Sequence, residues 1–261
     1  MEFRLDGQVA VVTGGTRGIG RAISETFLAH GAKVVINGRS EAKGKQALDE
    51  IDRPDDTHFI AGDAGNKADV EALIDGTVER FGRLDILVNN AGGVTGHGMV
   101  RHMTDDAWLG TIDLNLNSAF YATRRALHYF EPQGSGRIIN ISSVEGKQAN
   151  KAAVSNYITT KAAMNGFTKA VAFEYGTAGI TCNAIAPGAI ETDIMRDSGP
   201  EAAKAANMTY EQFLQAYADE SMIKRLNRVE EVAAMALMLA SEFGGGITGA
   251  VLSVDGGSSP Y

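Results

Sequence analysis

Short apolar runs alternate with longer stretches in which apolar residues return every three or four positions, along almost the whole chain. The first run, Val9-Ala10-Val11-Val12, is apolar at consecutive positions. A strand with one wet face would alternate, so this one reads as a parallel strand covered on both sides. Similar runs predict strands at 9–13, 33–37, 57–61, 86–89, 137–142, 181–186 and 251–254. Helices are expected between them, two of them long, at 104 to about 130 and about 154 to 176. That alternation predicts an α/β fold, a seven-stranded parallel sheet with helices on both faces. No repeat or linker divides the chain, so residues 1–261 are expected to form one domain. The largest irregular stretch is 189–221, broken by Ser198-Gly199-Pro200; loops of that length are usually functional or disordered.

Ligands of such sheets bind beyond the carboxyl ends of the strands. The first end carries Thr13-Gly14-Gly15-Thr16-Arg17-Gly18-Ile19-Gly20, followed by Ala22, Ile23, Phe27 and Ala29 at helical spacing. Glycines at a strand-to-helix turn let the backbone approach a pyrophosphate, and the helix N-terminus points free N–H groups at that charge. Gly14, Thr16, Arg17, Gly18, Ile19 and Gly20 are therefore candidate dinucleotide contacts. The spacing is Gly-x-x-x-Gly-x-Gly, not Gly-x-Gly-x-x-Gly, which points to a particular branch of dinucleotide binders.

The second end reads Asn37-Gly38-Arg39-Ser40. A carboxylate there would accept hydrogen bonds from both ribose hydroxyls and select NAD. With Gly38 in its place, Arg39 and Arg17 offer planar forks of donors suited to a 2'-phosphate, so the expected cofactor is NADP(H). Asp63 and Ala64 follow the third strand as candidate adenine contacts, Asp63 accepting from the amine; Asp63 could equally cap the helix starting near Lys67. The fourth end, Asn89-Asn90-Ala91-Gly92-Gly93, has small residues that let backbone approach a ribose and nicotinamide, and asparagines that tie neighbouring strands together.

Composition narrows the setting. Hydrophobic residues make up 44% of the 261, enough for a large core, and the net charge of -8 disfavours nucleic-acid and anionic-membrane partners. The single Cys182 cannot form an internal disulfide, which fits a reducing compartment. No run approaches the ~20 apolar residues that span a bilayer. The start, Met1-Glu2-Phe3-Arg4-Leu5-Asp6, lacks a basic region followed by an apolar stretch. A cytoplasmic location is expected. No metal is expected either: His97 and His102 sit five apart in a loop without a Cys partner, and His30, His58 and His128 are scattered. There is no Gly-x-Ser-x-Gly elbow, and the near P-loop from Gly38 to Gly44-Lys45 is one residue too long, with Gln46 where Ser or Thr belongs.

The fifth strand ends in Ser142-Ser143, and the next helix carries Tyr157-x-x-x-Lys161. Residues four apart share a helical face, so the ammonium is expected to reach the phenol. A tyrosine ordinarily titrates near pH ~10, and a neighbouring cation lowers that value toward the range of a usable acid or base.

Taken in order, Thr13-Gly14-x-x-x-Gly18-Ile19-Gly20, Asn89-Asn90-Ala91-Gly92, Leu114-Asn115-Leu116, Ser143, Tyr157-x-x-x-Lys161, Pro187-Gly188 and Asp255-Gly256-Gly257 resemble the short-chain dehydrogenase/reductase family over nearly the full length. The resemblance implies a Rossmann-type domain, a nicotinamide cofactor and a catalytic group of Asn115, Ser143, Tyr157 and Lys161. In that group Ser143 and Tyr157 would hold a carbonyl oxygen and Tyr157 would supply the proton. Lys161 would hold the nicotinamide ribose and lower the phenol's pKa, and Asn115 would anchor a water leading to solvent. Pro187, Gly188, Ile190 and Thr192 would border the nicotinamide. The stretch 189–221 would act as a substrate-binding lid, and a homotetramer is implied.

Ser143 stands fourteen positions before Tyr157, one more than is usual in the family, with the extra residue expected within 147–155. Glu145, Lys147, Gln148 and Lys151 are polar candidates for substrate contact there. Within the family the chain is similar to 3-oxoacyl-thioester (acyl-carrier-protein) reductases. It is also similar to aromatic-polyketide ketoreductases, through Gly146-Lys147-Gln148 and Gly256-Gly257 closing on Tyr261. The expected substrate is a small carbonyl compound or its alcohol. Sugar, polyol or hydroxy-acid oxidation is the alternative within the family, and a noncatalytic NADP-binding sensor or scaffold the alternative outside it.

Overall fold

The consecutive apolar positions of the central strands are divided between two cores. In the computed structural model, which describes residues 2–259, Ala10, Val12, Val34, Ile36, Ile86, Val88, Ile139 and Ile185 face one core. Val11, Val35, Leu87, Ile138 and Cys182 face the other. This two-sided burial is why the strands show no polar alternation. The strands are β1 (Val9–Val12), β2 (Lys33–Gly38), β3 (Thr57–Ala61), β4 (Ile86–Asn89), β5 (Gly136–Ile141), β6 (Ile180–Pro187) and β7 (Val251–Val254). They form one parallel sheet in the order β3-β2-β1-β4-β5-β6-β7.

Helices α1 (Gly18–Ala29), α2 (Glu41–Ile51) and α9 (Val229–Ala240) cover the first core, through Ile23, Phe27, Ala47, Val232 and Leu237. On the opposite face lie α3 (Lys67–Phe81), α5 (Ser118–Gln133) and α6 (Ser155–Tyr175), with Leu73, Ile74, Ala126, Phe130 and Val171. The chain runs from β1 outward to β2 and β3, then returns to place β4 on the other side of β1. That reversal opens a crevice beyond the carboxyl ends of β1 and β4, the ligand position of doubly wound sheets.

The long helix expected from 104 is interrupted. It comprises α4 (Asp105–Ile112), capped by Thr104, then one turn of π-helix at Asp113–Asn117, then α5. The stretch 189–221 is not irregular, contrary to the sequence expectation. It holds α7 (Asp193–Ala205) and α8 (Tyr210–Asp219). Thr192 caps α7, which continues through Gly199-Pro200, and Thr209 with Gln212 forms a capping box on α8. No helix among the described residues is long and apolar enough to cross a membrane. Tyr261, part of the polyketide-reductase likeness, lies outside the described residues.

Candidate functional site

The glycine turn after β1 is stitched to the end of β4. Thr13 Oγ1 accepts from the Asn90 and Ala91 N–H groups at 3.0 Å each, and Asn90 Nδ2 donates to the Thr13 and Gly14 carbonyls at 2.8 and 3.1 Å. Gly20 has no space for a side chain, because a Cβ there would overlap Asn90 Nδ2 and the Gly14 carbonyl. Asn89 Nδ2 ties β4 to Asn140 Oδ1 on β5 at 2.8 Å, as expected of these asparagines. The turn therefore keeps a bare backbone at the start of α1.

That backbone already holds an anionic oxygen. The Gly18 N–H donates to Asp193 Oδ2 at 3.0 Å, and Arg17 pairs with Asp197 at 3.1 Å, both carboxylates coming from α7. Sequence reading passed over Asp193. The residues present thus fit a dinucleotide phosphate: the helix terminus accepts negative charge and the glycines leave the approach open. Thr16, Arg17 and Gly18 line a cleft of about 430 Å³ with Arg21 and Lys43, the last a cation the sequence argument did not use. Arg21 is held by Glu25 and Glu50. Arg39 is exposed and forms no ion pair among the described residues.

Asp63 does not cap α3. That role belongs to Asn66, which accepts from the Ala68 and Asp69 N–H groups, while Asp63 Oδ1 takes the Gly65 N–H at 2.9 Å. An Asp three residues before the cap is too early to reach the free donors of the first turn. Ala64 behind it is buried.

Beyond β5 and at the start of α6, three predicted residues come together. Ser143 lies two residues past the end of β5, its hydroxyl accepting from the Glu145 N–H at 3.1 Å and close enough to the Tyr157 phenol to favour its ionised form. Ser142 points elsewhere, donating to Asn165 Oδ1 at 2.7 Å and to the Lys161 carbonyl at 3.2 Å, which leaves Ser143 as the serine of the site. Lys161 is buried; its Nζ donates to the Ile141 carbonyl at 2.7 Å and lies 5.6 Å from the Tyr157 ring centre. Burial lowers the Lys161 pKa to about 8.

The electrostatics correct one expectation. The phenol of Tyr157 is pushed up, not down: burial is the main cause, Ser143 opposes it and the Glu145 charge adds to it. A lysine whose own charge is disfavoured by the same dry surroundings does not outweigh that cost. Asn115 is also more structural than the water-anchoring role implies. Its Oδ1 accepts from the Gly93 N–H at 2.8 Å, and its Nδ2 donates to the Gly93 carbonyl and to Thr160 Oγ1. The π-turn at Asp113–Asn117 carries Asn115 into this position, and Gly92 is pressed against it: a Cβ on Gly92 would lie 2.6 Å from Asn115 Oδ1.

Asn156 was missed. Fully buried, it donates to the Gly96 and Ala107 carbonyls and to Thr111 Oγ1, while its Oδ1 accepts from the Tyr157 N–H. It fixes the start of α6 and hence Tyr157. Ala153, left-handed at φ 63°, absorbs the kink of the preceding loop. In that loop Lys147 donates to Ser253 Oγ and Gln148 to the Ser258 carbonyl, so both are tethers to the β7 end rather than free for substrate.

The Gly188 N–H, following Pro187, donates to the Val254 carbonyl. Ile190 is buried in the α1 and α9 core, and Thr192 caps α7 beside Gly18 instead of lying open.

A sheet of this order with a bare glycine turn and a Ser-Tyr-Lys cluster at its carboxyl edge defines a nucleotide-dependent oxidoreductase. The model of the short chain dehydrogenase family matches residues 8–203, and the chain belongs to that family. It is 39% identical, over 98% of its own length and 96% of the relative's, to 3beta-hydroxysteroid dehydrogenase 2 of Eggerthella lenta. Identity to the 3-oxoacyl-acyl-carrier-protein reductase of Aquifex aeolicus is 37%, over 98% and 99% of the two chains. The crystal structure of a variant actinorhodin polyketide ketoreductase with NADPH superposes with a TM-score of 0.92 at 32% identity, covering 97% of this chain and 98% of that one. The protein is an enzyme acting on CH–OH or C=O groups.

Proposed function

We propose that the enzyme uses NADP(H) to reduce a ketone, 3-oxoacyl or polyketide-like, to a secondary alcohol. The observation that carries this reading is the adjacency of the Ser143 and Tyr157 hydroxyls at the carboxyl edge of the sheet, with the Lys161 ammonium buried behind them. When bound, the nicotinamide supplies the hydride. The names of the relatives, an acyl-carrier-protein reductase and a polyketide ketoreductase, support the substrate class.

Ser143, oriented by the Glu145 N–H, donates a hydrogen bond to the carbonyl oxygen. Tyr157 donates the second and gives up its proton as that oxygen gains charge. Donors aimed at a developing oxyanion are often the largest catalytic contribution. The raised phenol pKa keeps this proton in place at neutral pH, as the reducing direction requires. Lys161 then faces the phenolate with its positive charge, and Asn115 and Asn156 hold the surrounding backbone. The region 189–221, with α7 and α8, serves as the substrate-binding lid.

A panel of ketones assayed for NADPH consumption tests the reading. Cofactor binding without consumption on any ketone would instead indicate a sensor. A pH profile adds a second check. Lys161 is cationic below about 8 and loses its charge above it, so kcat/KM for reduction is expected to be level near neutrality and to fall above about 8. A profile that stays level to about pH 9.5 removes this role from Lys161.

We also propose a homotetramer built on α5 and α6, whose outward faces carry Phe120 and the 90% exposed Phe173. Light scattering at micromolar concentration should give about four times the 27.6 kDa chain mass. A monomeric mass overturns it.

A further inference from the structure

Tyr157, Lys161 and Asn165 stand at intervals of four on α6, which puts them in one stripe along the helix. The third is neutral, and both ends of its amide are used. Asn165 Oδ1 accepts from the Ser142 hydroxyl at 2.7 Å, and Nδ2 donates to the Gly146 carbonyl at 3.0 Å. A carbonyl can only accept, so the nitrogen must face Gly146 and the oxygen Ser142. Ser142 directly precedes Ser143, and Gly146 ends the single 3₁₀ turn, Val144–Gly146, that follows it. One side chain of α6 thus grips the chain on both sides of Ser143.

The fit is close. A Cβ on Gly146 would lie 2.7 Å from the Lys161 carbonyl carbon and oxygen and 3.0 Å from Asn165 Nδ2. The turn therefore rests directly on the helix backbone where Lys161 leaves it. Ser142 Oγ also donates to the Lys161 carbonyl at 3.2 Å. Within the turn, the Gly146 N–H donates to the Ser143 carbonyl at 3.0 Å and the Glu145 N–H to Ser143 Oγ at 3.1 Å. Those bonds fix the shape of the turn and leave its position over α6 to other contacts. Lys147 and Gln148 tether the chain beyond it to the β7 end, a different element. Asn165 supplies the bond from an α6 side chain to the backbone of the turn itself.

We propose that Asn165 is a positioning residue for carbonyl reduction: its amide clamps the Ser143 turn to the helix bearing Tyr157 and Lys161, and so holds the two carbonyl-binding hydroxyls at their working separation. The inference rests on Ser143 and Tyr157 as that pair. One carbonyl oxygen accepts from both hydroxyls only where their separation suits it, and a misplacement of about 1 Å can lower a rate about 100-fold. Tyr157 and Lys161 are carried by α6, so release of the clamp displaces Ser143 relative to both. Asn165 acts through Ser143 and not on the substrate.

The test is a double-mutant cycle on Asn165→Leu and Ser143→Ala. It measures kcat, KM and the cofactor dissociation constant, with ethyl acetoacetate or whichever ketone wild type reduces fastest. Removing one oxyanion donor lowers kcat by about 100- to 1,000-fold, which is the expectation for Ser143→Ala. Asn165→Leu should lower kcat by about 10- to 100-fold and leave the cofactor dissociation constant unchanged. In the Ser143→Ala background the same substitution should lower kcat little further, because the group it positions is gone. A general loosening of the fold would remove the same factor in both backgrounds, and that result overturns the proposal. Wild-type kcat in Asn165→Leu overturns it too, while ketone reduction stands. Asn165→Asp is isosteric and turns the donor facing Gly146 into an acceptor; its loss in kcat should likewise vanish in the Ser143→Ala background. If circular dichroism shows that the Leu variant does not fold, the Asp variant decides the cycle alone. Unchanged kcat in Ser143→Ala removes Ser143 from the carbonyl reading itself, and this inference falls with it.

Discussion

Replacing Tyr157 by Phe should lower kcat for ketone reduction by about 100-fold or more and leave the cofactor dissociation constant within about threefold. The ring that packs 5.6 Å from Lys161 Nζ is retained, so the surrounding structure has no reason to shift. What disappears is the hydroxyl on the Ser143 side of the site and its proton. Ser143 alone can still polarise a carbonyl, but no other acid in the cluster is placed to protonate it. Lys161→Ala should lose activity and cofactor affinity together, since that lysine is assigned to both. Steady-state rates paired with cofactor fluorescence titration separate the two effects. Wild-type turnover in the Phe variant would end the assignment of Tyr157 as proton donor.

The strands were legible because the central ones are apolar on both faces and end in turn chemistry. Thr57–Ala61, Ile86–Asn89 and Val251–Val254 stand where the apolar runs place them. The helices of 189–221 were hidden by Ser198-Gly199-Pro200, which reads as a breaker. Position decides such cases: Thr192 and Thr209 are N-caps, and Thr209-x-x-Gln212 is a capping box that the sequence displays openly. The break between α4 and α5 carries no comparable signal, since a π-turn changes hydrogen-bond register without needing a special residue.

In the site, residues whose chemistry is local could be found in the sequence. Ser143, Tyr157 and Lys161 lie on one strand end and one helix turn. Asp193 on the Gly18 N–H, Lys43 beside Arg17, and Asn156 bonded to Gly96, Ala107 and Thr111 join segments distant in sequence. Spacing along the chain does not encode those meetings. The direction of the Tyr157 shift belongs to the same class, because it depends on how dry the assembled site is. For carbonyl reduction the raised value is the favourable one. A phenol that retains its proton at neutral pH is ready to donate, and the reverse oxidation must first remove it.

Cofactor choice should respond most sharply to two residues at the end of β2. Arg39 is exposed and free of ion pairs among the described residues, whereas Arg17 is held by Asp197 and Arg21 by Glu25 and Glu50. Of these three arginines, Arg39 is therefore the one whose charge is most available to a 2'-phosphate. A charge-assisted hydrogen bond contributes ~1.5–3 kcal/mol, or ~10–150-fold in affinity. Arg39→Ala is expected to weaken NADPH by a factor in that range and to leave NADH nearly unchanged. Gly38→Asp should go further, because it adds an acceptor for the ribose hydroxyls and repulsion for a phosphate. The backbone tolerates it: a Cβ on Gly38 would lie 3.1 Å from Thr16 Cγ2 and 3.7 Å from Phe59, so Thr16 has to give by only a few tenths of an ångström. Preference should then move toward NADH. Measuring kcat/KM for both cofactors in wild type and each variant checks this. If wild type prefers NADH, or Arg39→Ala weakens both cofactors equally, Arg39 is a surface residue and the assignment of NADP(H) is withdrawn.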